Sequence, residues 1–261
     1  MTPKAIDEAV QHLLRARREM THLSGLPESC RPQTPADGYA IQEAFIAAWG
    51  QPLAGWKVGC TSQVAQAMLG VDEPFYGPVF APLLHHSPAV LPAAGFHMLA
   101  LECEFAFRLA YDLPADGGPY DRDKVMAAVD ALLPAIEVIS PRLGDLATAG
   151  GPQVIADCGV NGALVVGEAR ADWQGLRLDE HGVRIAIDGE AKGEGTGAAV
   201  LGHPLNALIW FVNRRAEHGR GLLAGEVVTT GTCTGLTPIA PGQSAVADYG
   251  ELGRVELRFT A

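Results

Sequence analysis

Three glutamates carry the densest chemical signal in this sequence. The stretch Leu101-Glu-Cys-Glu-Phe-Ala-Phe-Arg-Leu109 alternates apolar and polar residues, the period of a half-buried strand. Leu101, Cys103, Phe105, Phe107 and Leu109 then face one way, and Glu102, Glu104 and Arg108 the other. Positions i and i+2 share a strand face with Cβ atoms roughly 7 Å apart, so Glu102 and Glu104 can converge on one point. Glu137 is the single charge in the apolar run Ala135–Ser140, where a bare charge is costly. Three neighbouring carboxylates need either raised pKa values or a cation between them. A hard divalent ion such as Mg²⁺ suits an all-oxygen set and leaves positions for substrate. The competing reading puts Glu102 and Glu104 on the solvated face of an edge strand and Glu137 at a loop start. The pattern alone does not choose between the two.

The surrounding elements must bring these residues together. Ile6, Val10, Leu13 and Leu14 recur at helical spacing, and Thr34-Pro35 reads as a cap plus first-turn proline opening a second helix that ends at Gly50 and Pro52. Trp56–Cys60 is a short strand followed by a helix over Gln63–Leu69. Arg122–Leu133 reads as an amphipathic helix closed by Pro134, and Ala135–Ser140 as a strand. Further strands are expected at Ala163–Val166, Val183–Asp188, Glu226–Thr230, Ser244–Asp248 and Arg254–Phe259, with a hairpin at Asp188-Gly189. A strong helix covers Pro204–His218, and the glycine-rich Lys192–Gly197 reads as a flexible loop. Strands do not alternate regularly with helices, which excludes a doubly wound sheet. The expected fold is α+β, a small helical section over residues 1–52 and a β-rich catalytic domain over residues 53–261.

Composition narrows the function classes. Of 261 residues, 48 % are hydrophobic and 19 % charged, enough for a sizeable core. A net charge of −11 without a long basic cluster argues against nucleic acid as a partner. No run reaches the length of a membrane span, and the N-terminus lacks an apolar core of signal-peptide type. The five cysteines (Cys30, Cys60, Cys103, Cys158 and Cys233) show no CxxC or zinc spacing. Free thiols in a reducing cytoplasm are the expectation.

Gly55–Thr61, Leu69–Pro74, Glu102-Cys-Glu104, Leu133–Glu137, Ile155–Asp157, Leu201–Ala207 and Val228–Gly231 together resemble the motifs of the fumarylacetoacetate hydrolase superfamily, in its 2-keto-4-pentenoate hydratase and 4-oxalocrotonate decarboxylase branch. Gly55-Trp-Lys-Val-Gly-Cys-Thr61 is similar to that branch's G-[YW]-K-[IV]-G-x-T, and is followed by Leu69-Gly-Val-Asp-Glu-Pro74 and Gly77-Pro-Val-Phe80. Glu102-Cys-Glu104 matches ExE, Leu133-Pro-Ala-Ile-Glu137 matches LPALE, Ile155-Ala-Asp157 matches VAD, and Leu201-Gly-His-Pro-Leu-Asn-Ala207 matches LG-x-PLNA. Val228-Thr-Thr-Gly231 and Gly253–Phe259 also fit, so the resemblance runs from about Ala40 to the C-terminus. It implies a mixed β-roll or sandwich body behind a helical section, homo-oligomeric assembly, possible pairing with a homologous decarboxylase, and Mg²⁺ or Mn²⁺ on Glu102, Glu104 and Glu137.

The resemblance also implies a reaction. A small 2-oxo acid chelates the cation, which stabilises the enolate formed when a neighbouring carbon loses a proton. In the hydratase branch a 2-hydroxy-dienoate ketonises and water then adds to the conjugated double bond. Lys57 is expected to hold the substrate carboxylate or move protons, and Asp157 and Asn161 to line the pocket and order water, although Asp157 equally suits a turn cap. Thr230, Gly231 and Thr232 are expected to offer hydroxyls and N–H groups to the substrate. The chain departs from the hydratases at Phe75-Tyr76-Gly77, where they carry Asp-Phe-Gly, and at Cys158-Gly159-Val160, where they carry Asn-Ala-Ser. Phe75 and Val160 would therefore make the pocket apolar. Decarboxylation or C–C hydrolysis of a related acid, and a non-catalytic partner subunit, stand as alternatives to hydration. Two further patterns compete weakly. Gly231-Thr-Cys233-Thr-Gly235 resembles a nucleophile elbow but is followed by loop-like sequence instead of a helix, and His85-His86 reads as a solvated pair.

Overall fold

The computed structural model describes residues 1–144 and 146–261. Two helices open the chain. α1 (Pro3–Glu19) is capped by the Thr2 hydroxyl, and α2 (Pro35–Trp49) starts on a reciprocal Thr34/Asp37 capping box and stops at left-handed Gly50. Their apolar faces bury Val10, Leu13, Leu14, Ile41 and Phe45 against Phe80 and Leu143 of the body.

The body contains β1 (Leu53–Gly59), α3 (Gln63–Leu69), β2 (Phe75–Phe80), β3 (Leu84–His86), β4 (Ala89–Pro92), β5 (Ala100–Leu109) and α4 (Arg122–Ala127). These are followed by β6 (Val129–Ile139), α5 (Leu146–Ala149), α6 (Gly151–Ala156), β7 (Asn161–Val166), β8 (Gly182–Ile187), β9 (Glu190–Thr196) and α7 (Pro204–Glu217). β10 (Val227–Thr232), β11 (Thr237–Pro238), β12 (Ser244–Asp248) and β13 (Arg254–Thr260) close the chain. One mixed sheet runs β2-β1-β10-β5-β6-β7-β3, with β11 also on β5; the second runs β4-β13-β12-β8-β9. Between the sheets lies the main core, which includes Phe105, Phe107, Ile136, Val165, Ile185, Val255 and Phe259. The α+β expectation, with its helical N-terminal section and mixed-sheet body, holds.

Two local expectations are corrected. The helix read over Arg122–Leu133 ends at Ala127, and Val129–Ile139 is one long strand. Ala131, Leu132 and Leu133 are competent helix formers, but pairing with β5 along its whole length and burial on both faces override that preference. The expected loop at Lys192–Gly197 is largely strand β9, hairpinned to β8 through Asp188 (φ 49) and Gly189 (φ 85), both left-handed as a type I′ turn requires.

Candidate active site

The β5–β6 register decides the geometry. Glu102 pairs directly with Glu137, and Glu104 lies two residues along β5. Cross-strand partners and i, i+2 neighbours share a face, so all three carboxylates project to the same side. One oxygen from each lies within 4.8 Å of the others. Glu104 and Glu137 are fully buried and Glu102 is half-buried. Tyr249 fixes this stretch from the opposite side, its hydroxyl meeting the Glu104 and Ala135 carbonyl oxygens at 3.0 and 2.7 Å.

The neighbouring strands supply the rest. β1 runs parallel to β10, with Lys57 opposite Thr229, and the β10–β5 register slips between Thr229 and Thr232. The bulge turns the Gly231 N–H onto Glu104 Oε2 at 2.8 Å. Gly231 has φ +106, and a Cβ there would collide with the Thr61 side chain, so this position requires glycine. The buried Lys57 ammonium lies 3.4 Å from Glu137 Oε2, and Asn161 Nδ2 donates to Glu137 Oε1 at 2.8 Å.

These residues fit a divalent cation. Among the described residues Glu104 Oε1 is buried without a hydrogen-bond partner and Glu137 Oε2 is met only by the Lys57 ammonium at 3.4 Å, so one cation serves three clustered carboxylates, an expensive arrangement unless further positive charge joins them. The donors are all carboxylate oxygen, as Mg²⁺ and Mn²⁺ prefer. Without a cation, burial and then repulsion from Glu137 raise the Glu102 carboxyl to about 7, against the opposing pull of Lys57. Burial, then Glu137 and Glu102, push Glu104 well above the carboxylate range. Burial alone would lower Lys57, but Glu137, Glu102 and Glu104 outweigh it and hold the ammonium charged.

A pH dependence follows. A carboxyl with a folded pKa above its unfolded value binds its proton more tightly when folded. Its ionisation therefore destabilises the fold as pH rises between the two values. For Glu102 that window runs from about 4.5 to about 7. Metal-depleted protein should lose thermal stability from pH 5 to pH 8, and Mg²⁺ should restore more at pH 8 than at pH 5. Differential scanning calorimetry reads both; a metal-free midpoint that rises over this range contradicts the assignment.

A cavity of about 260 Å³ opens beside the cluster, lined by Cys60, Thr61, Glu102, Gly231, Thr232 and Cys233 among others. Of the residues expected to bind substrate, Thr232 and Gly231 reach it. The Gly231 N–H is engaged by Glu104, however, and the Thr232 hydroxyl donates to the Gly235 carbonyl at 3.1 Å. Thr230 is buried and its hydroxyl donates to the Phe105 carbonyl at 2.8 Å. Phe75 and Val160 do not line this cavity. They pack together in an apolar cluster with Ile139 and Ile155, and the Phe75 ring stands 5.8 Å from the Lys57 ammonium.

Asp157 holds a turn, one of the two roles its sequence context leaves open. One carboxylate oxygen accepts from Arg142 Nε at 2.5 Å and the other from the Arg142 backbone N–H at 2.8 Å. Arg142, also buried, donates on to the Asp157 and Asn161 carbonyls at 2.6 and 3.1 Å. This clamp holds a left-handed turn with φ 57 at Cys158, 62 at Gly159 and 60 at Val160; the last is a strained value for a β-branched residue. The turn delivers Asn161 to Glu137. Arg142 was not legible as a site residue, since an arginine just past a strand reads as solvated. Its truncation to Met should cost about 3–5 kcal/mol in urea unfolding, because Asp157 is left buried and unpaired. A loss under about 1 kcal/mol would show the pair to be dispensable.

The competing patterns fall away on geometry. Cys233 is buried and burial pushes its thiol well up, and the residues after it form a turn and β11 instead of a helix. His85 and His86 lie on β3 and join no metal-competent cluster among the described residues.

A mixed-sheet α+β body carrying a buried Glu-Glu-Glu-Lys constellation at a small cavity defines a divalent-metal enzyme centre. The comparisons place it further. Residues 56–260 match the family model described as fumarylacetoacetate (FAA) hydrolase C-terminal, and the chain belongs to that family. It is 30 % identical to 2-keto-4-pentenoate hydratase of Paraburkholderia xenovorans (strain LB400) over 99 % of this chain and 96 % of that one. It is 30 % identical to 2-hydroxyhexa-2,4-dienoate hydratase of Comamonas testosteroni over 98 % and 97 %. The structure of 4-oxalocrotonate decarboxylase from Pseudomonas putida G7, complexed with magnesium and adipate, superposes with a TM-score of 0.91 at 28 % identity, covering 99 % of this chain and 98 % of that one.

Proposed function

We propose that this chain is a Mg²⁺- or Mn²⁺-dependent hydratase that adds water to a 2-hydroxy-dienoate or 2-oxo-4-enoate small acid in the catabolism of aromatic-type compounds. The observation that carries the reading is the convergence of Glu102, Glu104 and Glu137 on one buried point with the Lys57 ammonium beside them. When bound, a divalent cation there supplies Lewis-acid stabilisation of enolate charge. Lys57, charged and buried, binds the substrate carboxylate and is the proton donor within reach. Asn161 orients Glu137, and the Gly231 N–H orients Glu104. Thr61, Thr232 and Glu102 form the cavity wall against which the reacting carbons lie. Hydratase relatives that match nearly end to end support hydration over cleavage.

Decarboxylation is the second reading, favoured by the close superposition on 4-oxalocrotonate decarboxylase. The division into a helical section at 1–52 and a catalytic domain at 53–261, homo-oligomeric assembly, pairing with a homologous decarboxylase and a cytoplasmic location belong to the same proposal. Consistent with that location, all five cysteines are free, and among the described residues no helix is long and apolar enough to cross a membrane.

The test is ultraviolet turnover of 2-hydroxypenta-2,4-dienoate with Mg²⁺, with the product identified by mass. A 4-hydroxy-2-oxo acid that vanishes with EDTA and persists with iodoacetamide supports hydration. Release of CO₂ from 4-oxalocrotonate without water addition to the dienoate supports the decarboxylase.

A further inference from the structure

The cavity beside the three glutamates adjoins a second space. Thr61, Ser62 and Ala199 line both it and a second, larger cleft of about 770 Å³. A small 2-oxo acid is accommodated by the inner space alone, so the outer cleft is space for a tail. Its far wall is Trp210 and Arg214, one turn apart on α7, together with Glu73 and Asp72 from the loop before β2; Gln63 and Leu201 complete it.

The charges there are already arranged. Arg214 pairs with Glu73 through one guanidinium nitrogen and with Glu217 at 2.7 Å through another, and its Nε is buried. Glu73 also accepts from the Trp210 indole N–H at 3.4 Å. The Arg214 guanidinium lies 5.9 Å from the Trp210 ring centroid, so indole and ion pair brace each other. Asp72, which has no ion-pair partner among the described residues, adds a negative charge to the lining. Among the described residues Arg214 is the one cationic side chain lining this cleft; it is engaged by Glu73 and Glu217, and Asp72 leaves the lining with a net negative charge.

We infer that the outer cleft is a tail subsite for a monocarboxylic 2-oxo acid, in which an extended uncharged chain lies against Trp210 and a second, terminal carboxylate is rejected by Asp72 and Glu73. The inference rests on the proposed placement of the 2-oxo acid head at Glu102, Glu104 and Glu137. It goes further by assigning the substrate's other end. Rejection by like charge discriminates more sharply than loss of a methylene contact.

Calorimetric binding to Mg²⁺-loaded protein separates this inference from the reaction itself. The probes are pyruvate, 2-oxoheptanoate and 2-oxoheptanedioate. The expected order is 2-oxoheptanoate tightest, with the dioate weaker by about tenfold or more. Trp210→Ala should weaken 2-oxoheptanoate more than pyruvate, and the double variant Asp72→Asn with Glu73→Gln should tighten the dioate selectively. A dioate that binds as well as the monoacid overturns the subsite, as does a Trp210→Ala loss equal for both tail lengths. If no 2-oxo acid binds, pyruvate included, the head site fails and the subsite falls with it. Binding of pyruvate without tail discrimination sinks the subsite alone.

Discussion

Glu104→Gln should lower kcat for the dienoate by about 10³-fold while raising the stability of the metal-depleted protein. The two effects have one cause. Glu104 is fully buried, one oxygen held by the Gly231 N–H and the other without a partner among the described residues; burial first, and then its neighbours Glu137 and Glu102, push its pKa up. The amide is nearly isosteric, so the strands keep their register. Removing one ionisable acid from the cluster relieves repulsion, and the metal-free fold gains. The same change removes anionic oxygen from the cation's donor set, so Mg²⁺ affinity falls by calorimetry as apo thermal stability rises. A purely structural carboxylate would show lower stability and unaltered Mg²⁺ binding, and that pair of results would refute the role.

Lys57→Met is the second large effect, expected to reduce kcat/KM by about 10²–10³-fold and to destabilise the metal-free protein by about 3–5 kcal/mol. Among the described residues the ammonium is the counter-charge to Glu137, at 3.4 Å. Without it three acids share a dry site. Mg²⁺ should rescue stability but not turnover, because the group that binds the substrate carboxylate is gone. Lys57→Arg should fail nearly as badly. The side chain is threaded between glycines, where a Cβ at Gly59 would lie 2.9 Å from Nζ and one at Gly159 would lie 3.0 Å from Cδ, so no room exists for a planar guanidinium. Recovery of wild-type kcat/KM by Lys57→Arg would show that charge alone suffices and that the close packing is incidental.

The parts of this site that depend on local pattern were legible in the sequence. Alternation along Leu101–Leu109 gave the strand and put Glu102 and Glu104 on one face, as β5 shows. The isolation of Glu137 in an apolar run flagged it as needing a partner. The direct Glu102–Glu137 pairing was not legible, because register is set by tertiary contacts. The same blindness extended a helix over Leu132 and Leu133, whose propensity favours helix while their pairing demands strand. Thr230-Gly-Thr232 is legible as a candidate substrate contact, but only the slip in the β10–β5 ladder reveals that the Gly231 N–H donates to Glu104. For Asp157 the sequence leaves a water-ordering acid and a turn cap equally open, since its partner Arg142, fifteen residues earlier, carries no local signal. The outer cleft was equally hidden, being assembled from the Thr61–Ser62 turn, the loop before β2 and one face of α7.

Anomalous scattering at the manganese edge, from crystals grown with Mn²⁺ and oxalate, examines the central claim most directly. One strong peak in contact with carboxylate oxygens of Glu102, Glu104 and Glu137, with oxalate on its open side towards Lys57, is the result expected. A peak elsewhere, or none at Mn²⁺ concentrations that support turnover, would contradict it.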